Sequence, residues 1–465
     1  MKLFDADSCR RADLLAAERG VCLNTLIENA GHAVAAQVAC HAPRKPVLIL
    51  CGKGHNGQDG QVCARLLERV YGFTVHTRFP LQDPCTEDLS SYGVIIDAVF
   101  GTGFHGSLSP ELQHLFTLCN ESEAFRVAVD LPSGVDASLA SASENSFCAH
   151  LTVGLALPKP CYFSYPARTL CGQVILCDIG LPHSVTEKIA PPYSLLNEAD
   201  LRVALPQRRA DAHKGTFGRG VCFCGSPGME GAALLAAVGC SRSGCGITLV
   251  ASNEETRRAV NTSLPACLTA PDDLACLCGA SAVLIGCGRG KTPATQELTL
   301  KLLQTLRVPL VLDADSINVL AEHIHGQEAL QQAACPVLLT PHPAEAARLL
   351  GVDVADVQRE RMASALGLAR QSGCTVLLKG NASLIASPDG RCAVCPTGNT
   401  ALSKGGSGDL LAGIAVSFLA QGMPVFEAAC AAAFFHGRAA EVYTSRASAA
   451  TADPYALAEC LFEIL

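Results

Sequence analysis

Two successive series of short apolar runs, each alternating with helix-like stretches and glycine turns, restrict this chain more than any other feature. The first series lies at residues 46–51, 94–99, 126–130, 151–157 and 173–178. Runs that are apolar throughout suit strands buried on both faces, and the long connections between them suit crossover helices, so a parallel sheet covered on each side is expected. The second series, at 220–224, 246–251, 282–285, 309–313, 336–340 and 375–379, repeats the pattern with Ala- and Leu-rich segments in between. Residues 383–387 and 391–394, around Pro388-Asp-Gly390, read as a hairpin. Between the series, Pro182, Pro191, Pro192 and Pro206 interrupt a stretch with no strong strand. A boundary near residue 195 follows, giving an α/β chain of two domains, residues 1–195 and 196–465.

Bulk properties narrow the class further. A length of 465 residues exceeds one ordinary core, and 49% hydrophobic against 17% charged residues argues against disorder. No apolar run reaches the roughly 18 residues that span a bilayer, and acids stand early in Met1-Lys-Leu-Phe-Asp-Ala-Asp, so a cytoplasmic protein with no membrane partner is expected. A net charge of −8 offers no field for nucleic acid. The 25 cysteines are expected to stay reduced. Cys392-Ala-Val-Cys395 has metal-like spacing but no second Cys or His pair nearby, so cysteine as a small buried hydrophobe is the stronger reading.

The run Gly398-Asn-Thr-Ala-Leu-Ser-Lys-Gly-Gly-Ser-Gly-Asp409 opens into an apolar helix beginning at Leu410. Gly405, Gly406 and Gly408 let backbone N–H groups converge without a Cβ in the way, and the helix directs its positive end at the same place. A bound phosphate is expected there. Asp409, on the first helical turn, is then placed to take a proton from an attacking hydroxyl. An ordinary glycine turn capped by Asp is the competing reading.

Ordered blocks surround that run: His213-Lys-Gly-Thr-Phe-Gly218, Gly228-Met-Glu-Gly-Ala-Ala233, Ile285-Gly-Cys-Gly-Arg-Gly290, Asp313-Ala-Asp315, Thr340-Pro-His-Pro-Ala-Glu345 and Lys379-Gly380. Together they resemble the ADP/ATP-dependent NAD(P)H-hydrate dehydratases, a ribokinase-like fold. The resemblance implies that Asp409 is the base and that Lys379, Gly380, Asn381, Ala382, Ser383, Gly405, Gly406, Ser407 and Gly408 meet the nucleotide. It implies that Ala232, Gly288, His342 and Asp409 meet a hydrated NADH or NADPH. ADP or ATP with Mg2+ is the expected co-substrate, with Asp313, Asp315 and Glu345 as candidate Mg2+ ligands. Cys287 and Arg289 depart from the Pro and Leu that the family more often carries.

The first half resembles the NAD(P)H-hydrate epimerases, a Rossmann-like doubly wound fold, through Gly52-Lys-Gly-His-Asn-Gly-Gln-Asp-Gly60, Asp97-Ala-Val-Phe-Gly-Thr-Gly103 and Asp130-Leu-Pro-Ser-Gly134. Apolar residues at 62, 63, 66, 67 and 70 place the first block in a loop between strand and helix. The likeness implies Asp130 as the catalytic acid/base and Asn56, Asp97 and Ser133 as oxygen ligands for K+. It implies substrate contacts from His55, Asn56, Gly57, Gln58, Asp59, Gly101, Thr102, Gly103, Phe104, His105 and Gly106. His55 and Gln58 replace the usual Asn and Gly and add bulk there. A bifunctional nicotinamide nucleotide repair protein, expected to be a homo-oligomer, is the reading that results. A ribokinase-like small-molecule kinase with a non-catalytic N-terminal binding module is its alternative.

Overall fold

The computed structural model describes residues 1–82 and 88–465, which divide into two compact units. One comprises Met1–Ser194 with Arg359–Met362, the other Leu195–Gln358 with Ala363–Leu465.

In the first unit, β1 (Lys2–Leu3) pairs antiparallel with Tyr193 and Ser194 of β8 (Tyr193–Leu195). The main sheet contains β2 (Val47–Cys51), β3 (Val75–Arg78), β4 (Val94–Ala98), β5 (Phe125–Val129), β6 (Leu151–Leu155) and β7 (Gln173–Cys177). Its order is β3-β2-β4-β5-β6-β7, parallel throughout. Val47, Ile49 and Cys51 join a core with helices Leu23–His41 and His55–Arg69, while Leu48 and Leu50 face another with Pro110–Glu121. Both faces are therefore covered, as the unbroken apolar runs require. β3, Val-His-Thr-Arg, escapes the sequence pattern because it is a half-exposed edge strand.

Two local readings are corrected. The block from His55 to Gly60 is not a loop but the opening of helix His55–Arg69. A Cβ on Gly57 would lie 2.0 Å from the Gly52 carbonyl oxygen, and one on Gly60 would lie 2.6 Å from Ala98 Cβ. These glycines seat the helix against the chain that follows β2 and against β4, so their spacing reflects close packing inside a helix. Likewise the Pro-interrupted stretch contains β8 and the helix Glu198–Ala204, which Asn197 caps.

The second unit holds β9 (Arg219–Phe223), β10 (Ile247–Ala251), β11 (Leu268–Ala270), β12 (Ala282–Ile285), β13 (Leu310–Leu312), β14 (Val337–Leu339), β15 (Thr375–Leu378), β16 (Leu384–Ala386) and β17 (Cys392–Val394). Their order is β17-β16-β15-β14-β13-β12-β9-β10-β11. The sheet is parallel from β15 to β11, and β16 and β17 form the expected antiparallel hairpin at its edge. Helix Ser407–Ala420 is buried on nearly every side, which explains why its sequence is apolar all round. It lies against helix Glu230–Arg242 at backbone contact: a Cβ on Gly413 would sit 2.1 Å from the Ala236 carbonyl oxygen, and one on Gly239 would sit 2.4 Å from that of Leu410.

Every described cysteine is a free thiol, most of them buried. Among the described residues no helix is long and apolar enough to cross a membrane.

The helix contact generates a test. Gly413→Ala should cost about 1–3 kcal/mol by overpacking, whereas Gly367→Ala, in helix Arg361–Ser372 with nothing within 4 Å of the added carbon, should stabilise by about 0.5–1 kcal/mol. Urea unfolding of both variants checks the opposite signs.

Candidate active sites

Parallel strands deliver all their C-terminal ends to one edge, and ligands bind where the strand order reverses. In the first unit that switch lies between β2 and β4. A cavity of about 780 Å³ opens there, lined by His55, Asn56, Asp59, Gly101, Thr102, Gly103, Phe104 and Asp130 among others. Gly57 faces Gly52 instead, and Gln58 is exposed off the cavity wall, so of the two substitutions only His55 adds bulk at the cavity. His105 pairs with Asp136 at 2.7 Å, and neither it nor Gly106 lines the cavity.

Asp130 follows β5 with φ 66°, a left-handed conformation that costs a non-glycine residue energy and needs support. Its N–H donates to the Val153 carbonyl at 2.9 Å, and Tyr162 donates its hydroxyl to the Asp130 carbonyl at 2.8 Å. Asp130 Oδ1 then accepts from Lys159 Nζ at 2.7 Å and from the Leu155 N–H at 3.1 Å. Lys159 is fully buried, and although burial alone would push its pKa down, the Asp130 charge carries it above the ordinary value. Nearby, burial raises Asp59 to about 8, helped by the charges of Asp130 and Asp13. The cavity thus presents a neutral carboxylic acid beside a carboxylate held by an ammonium. Lys159, Tyr162 and Asp13 were not found from sequence; Pro158-Lys-Pro160 beyond β6 is the only signal they leave.

Behind the cavity, Asp97 ends β4 fully buried. Ser133 donates both its N–H, at 2.6 Å, and its hydroxyl, at 2.7 Å, to the carboxylate, and the Val99 N–H donates at 3.1 Å. Ser133 Oγ in turn accepts from the Phe100 N–H, and Asn56 donates to the Phe100 carbonyl. Asn56, Asp97 and Ser133 therefore converge around one backbone segment. Burial pushes Asp97 up to about 6, and no described cationic side chain pairs with it.

In the second unit the strand order reverses between β9 and β12, where Cys224 and the Gly286-Cys-Gly288 turn stand. A Cβ on Gly288 would lie 2.7 Å from Ala232 Cβ, so these two pack closely against each other. Gly406, with φ 91°, precedes helix Ser407–Ala420, and no side chain caps the helix; buried Ser407 Oγ has no partner. Lys379 Nζ approaches Gly408 from the end of β15, 3.4 Å from where a Cβ would be. Lys379 also bonds Asp313 Oδ1 at 2.8 Å and lies 3.9 Å from Glu345, while Thr340 donates to the same Asp313 oxygen at 2.7 Å. Asp409 is raised to about 7 by burial first and by the Asp313 charge second. Gly380, Asn381, Ala382 and Ser383 form the turn from β15 to β16, closed by the Ser383 hydroxyl on the Gly380 carbonyl at 3.0 Å.

Such an arrangement, an uncapped helix N-terminus with a lysine and a half-protonated carboxyl, can bind a phosphoryl group and accept a proton beside it. Sequence comparisons assign a family to each unit. Residues 221–462 match the NAD(P)H-hydrate dehydratase family, and residues 23–92 and 74–161 match the YjeF-related protein N-terminus. The bifunctional NAD(P)H-hydrate repair enzyme of Moorella thermoacetica is 34% identical, covering 90% of this chain and 87% of its own.

The chain belongs to the bifunctional NAD(P)H-hydrate repair enzymes.

Within that family the second unit has further relatives. The ADP-dependent (S)-NAD(P)H-hydrate dehydratase of Neisseria meningitidis is 44% identical over 52% of this chain and 83% of its own. The Bacillus subtilis ADP/ATP-dependent dehydratase, co-crystallised with ATP and Mg2+, superposes with a TM-score of 0.54 at 34% identity, covering 58% of this chain and 97% of that one.

Two expectations for the repair enzyme's dehydratase half need refinement. His342 is first of all the cap of helix Pro343–Leu350: its Nδ1 accepts from the N–H groups of Ala344 and Glu345, at 3.1 and 3.2 Å. Burial and the Lys379 charge lower its pKa, so it is a neutral imidazole on the rim. The candidate Mg2+ ligands do not form a cage either. Asp313 and Glu345 share Lys379, and Asp315 accepts the Gly290 N–H at 2.7 Å.

Asp59 supplies a stability test. It keeps its proton in the folded chain to about pH 8 but loses it near the ordinary 3.8 when unfolded. Stability therefore falls as pH rises through that window. Asp59→Asn cannot ionise, so it should flatten the slope and gain unfolding temperature over wild type more at pH 8 than at pH 4, as differential scanning fluorimetry would record.

Proposed function

We propose that this chain salvages nicotinamide cofactors in two steps, epimerising hydrated NADH or NADPH at C6 in residues 1–195 and dehydrating the S epimer with ADP or ATP in residues 196–465. The observation that carries the reading is the placement of Asp409, raised to about 7, on the first turn of the helix whose glycine entrance faces Lys379.

In the dehydratase half, the C6 hydroxyl attacks the terminal phosphorus of the nucleotide, and Asp409 takes the hydroxyl proton as the bond forms. N–H groups from Gly405 to Gly408 and the Lys379 ammonium stabilise the charge on the transferring phosphoryl. The C6–O bond of the phosphate ester then breaks, phosphate leaving with the bonding pair while N1 donates its lone pair to C6. Loss of the C5 proton to solvent completes the C5=C6 double bond and returns the N1 lone pair. Mg2+ would be held chiefly by the nucleotide phosphates, where it would neutralise their charge.

In the epimerase half, N1 expels the C6 hydroxyl as water once a proton reaches it, leaving an iminium carbon that water can re-enter from either face. Asp59 holds the needed proton at neutral pH, and the Asp130 carboxylate, fixed by Lys159, faces the same cavity to stabilise the iminium and take the proton from the returning water. Asn56, Asp97 and Ser133 fit a hard monovalent cation such as K+: all offer oxygen, and the buried Asp97 charge has no cationic side chain among the described residues to balance it. Bound there, K+ supplies counter-charge to the loop that carries Phe100.

Three outcomes test the proposal. Asp409→Asn should reduce dehydration about 10²-fold or more, and wild-type turnover should fall below about pH 7, where the base becomes protonated; near-normal turnover by the folded variant would remove Asp409 from the role. Asp130→Asn, given the epimer that the dehydratase cannot use, should lose fast conversion while the S epimer is repaired at an unchanged rate. Exchange of K+ for a tetraalkylammonium should lower the melting temperature of wild type but not of Asp97→Asn.

A further inference from the structure

The thiol of Cys287 stands where two carboxylates of the dehydratase site converge. It donates to Asp313 Oδ2 at 3.5 Å. The Cys287 sulfur and a carboxylate oxygen from each aspartate all lie within 4.8 Å of one another. Asp313 divides its oxygens: Oδ1 is taken by Lys379 and Thr340, and Oδ2 is left to the thiol. On its other side the Cys287 carbonyl accepts the Gly225 N–H at 2.8 Å, which ties the turn to the chain just beyond β9.

We propose that Cys287, Asp313 and Asp409 form a site for a thiophilic divalent cation of the Zn2+ class, and that occupancy switches off the dehydratase half by engaging its base. Metal–sulfur and metal–oxygen bonds of about 2.3 and 2.1 Å at a tetrahedral angle set the two ligand atoms about 3.6 Å apart. The Cys287 to Asp313 Oδ2 separation of 3.5 Å already has that value. Binding replaces the thiol proton, which leaves to solvent, by the metal, with no redox change. Three anionic ligands with the adjacent Lys379 ammonium then balance the dication. A thiolate in the set selects Zn2+ or Cd2+ over Mg2+, which prefers oxygen alone and keeps its waters. Three protein ligands leave the fourth position of a tetrahedral ion to water, as in catalytic zinc sites.

The inhibitory effect rests on Asp409 being the base; the binding does not. The experiment uses the full chain and Cd2+ as probe, read by the ultraviolet sulfur-to-cadmium charge-transfer band, beside Zn2+ inhibition of dehydration. Wild type should take up about one more equivalent of Cd2+ than Cys287→Ala, unaffected by millimolar Mg2+, and its inhibition should need at least about tenfold less Zn2+. Cys287→Ser keeps the volume and should show the same weakening if the alanine variant folds poorly. Equal Cd2+ uptake by wild type and both variants would overturn the site. Extra uptake without inhibition would uphold the site and overturn Asp409 as the base.

Discussion

Backbone contact between two helices sets the geometry of the dehydratase half. Because Gly413 and Gly239 carry no side chain, helices Ser407–Ala420 and Glu230–Arg242 lie closer than any pair of larger residues would allow. That closeness holds the uncapped N-terminus of the first over the strand ends and brings Ala232 on the second against Gly288. The anion cradle and the tight substrate wall are thus two ends of one packing decision, and the alanine-rich composition of both helices follows from it.

At each site the chain then confines more acid than base in a place water hardly reaches. Asp313, Glu345 and Asp409 gather about Lys379 in one unit, and Asp130 and Asp13 about Lys159 in the other, with Asp59 next to those two acids. Burial first, and the charge of neighbouring carboxylates second, lift Asp409 to about 7 and Asp59 to about 8. Proton-transfer capacity thus arises from desolvation reinforced by like charge.

Sequence pattern exposes what is periodic and hides what is assembled. Strands β2, β4, β5 and β6 are legible because they are mostly apolar and almost wholly buried, while β3 and β8 are too short and too exposed to register. Gly57 and Gly60 mislead because glycine in a sequence reads as a turn, whereas here it marks close approach inside a helix. Asp409 was legible because it adjoins its glycine cradle along the chain. Lys159 and Tyr162 were not, since they reach Asp130 only through the fold, from a segment whose composition resembles any proline-containing loop. His342 illustrates a third case: a capping histidine was the competing reading of its place between two prolines, and the structure shows those capping bonds.

The use of cysteine as interior filler has a consequence for the life of the molecule. A buried free thiol is inert only while the chain stays folded, because oxidants meet it when the sheet opens. An excursion that a cysteine-poor protein would reverse can here end in a wrong disulfide between strands, trapping the open form. Durability in an oxidising medium is then governed by how rarely the chain opens, a rate, while in a reducing medium it is governed by an equilibrium.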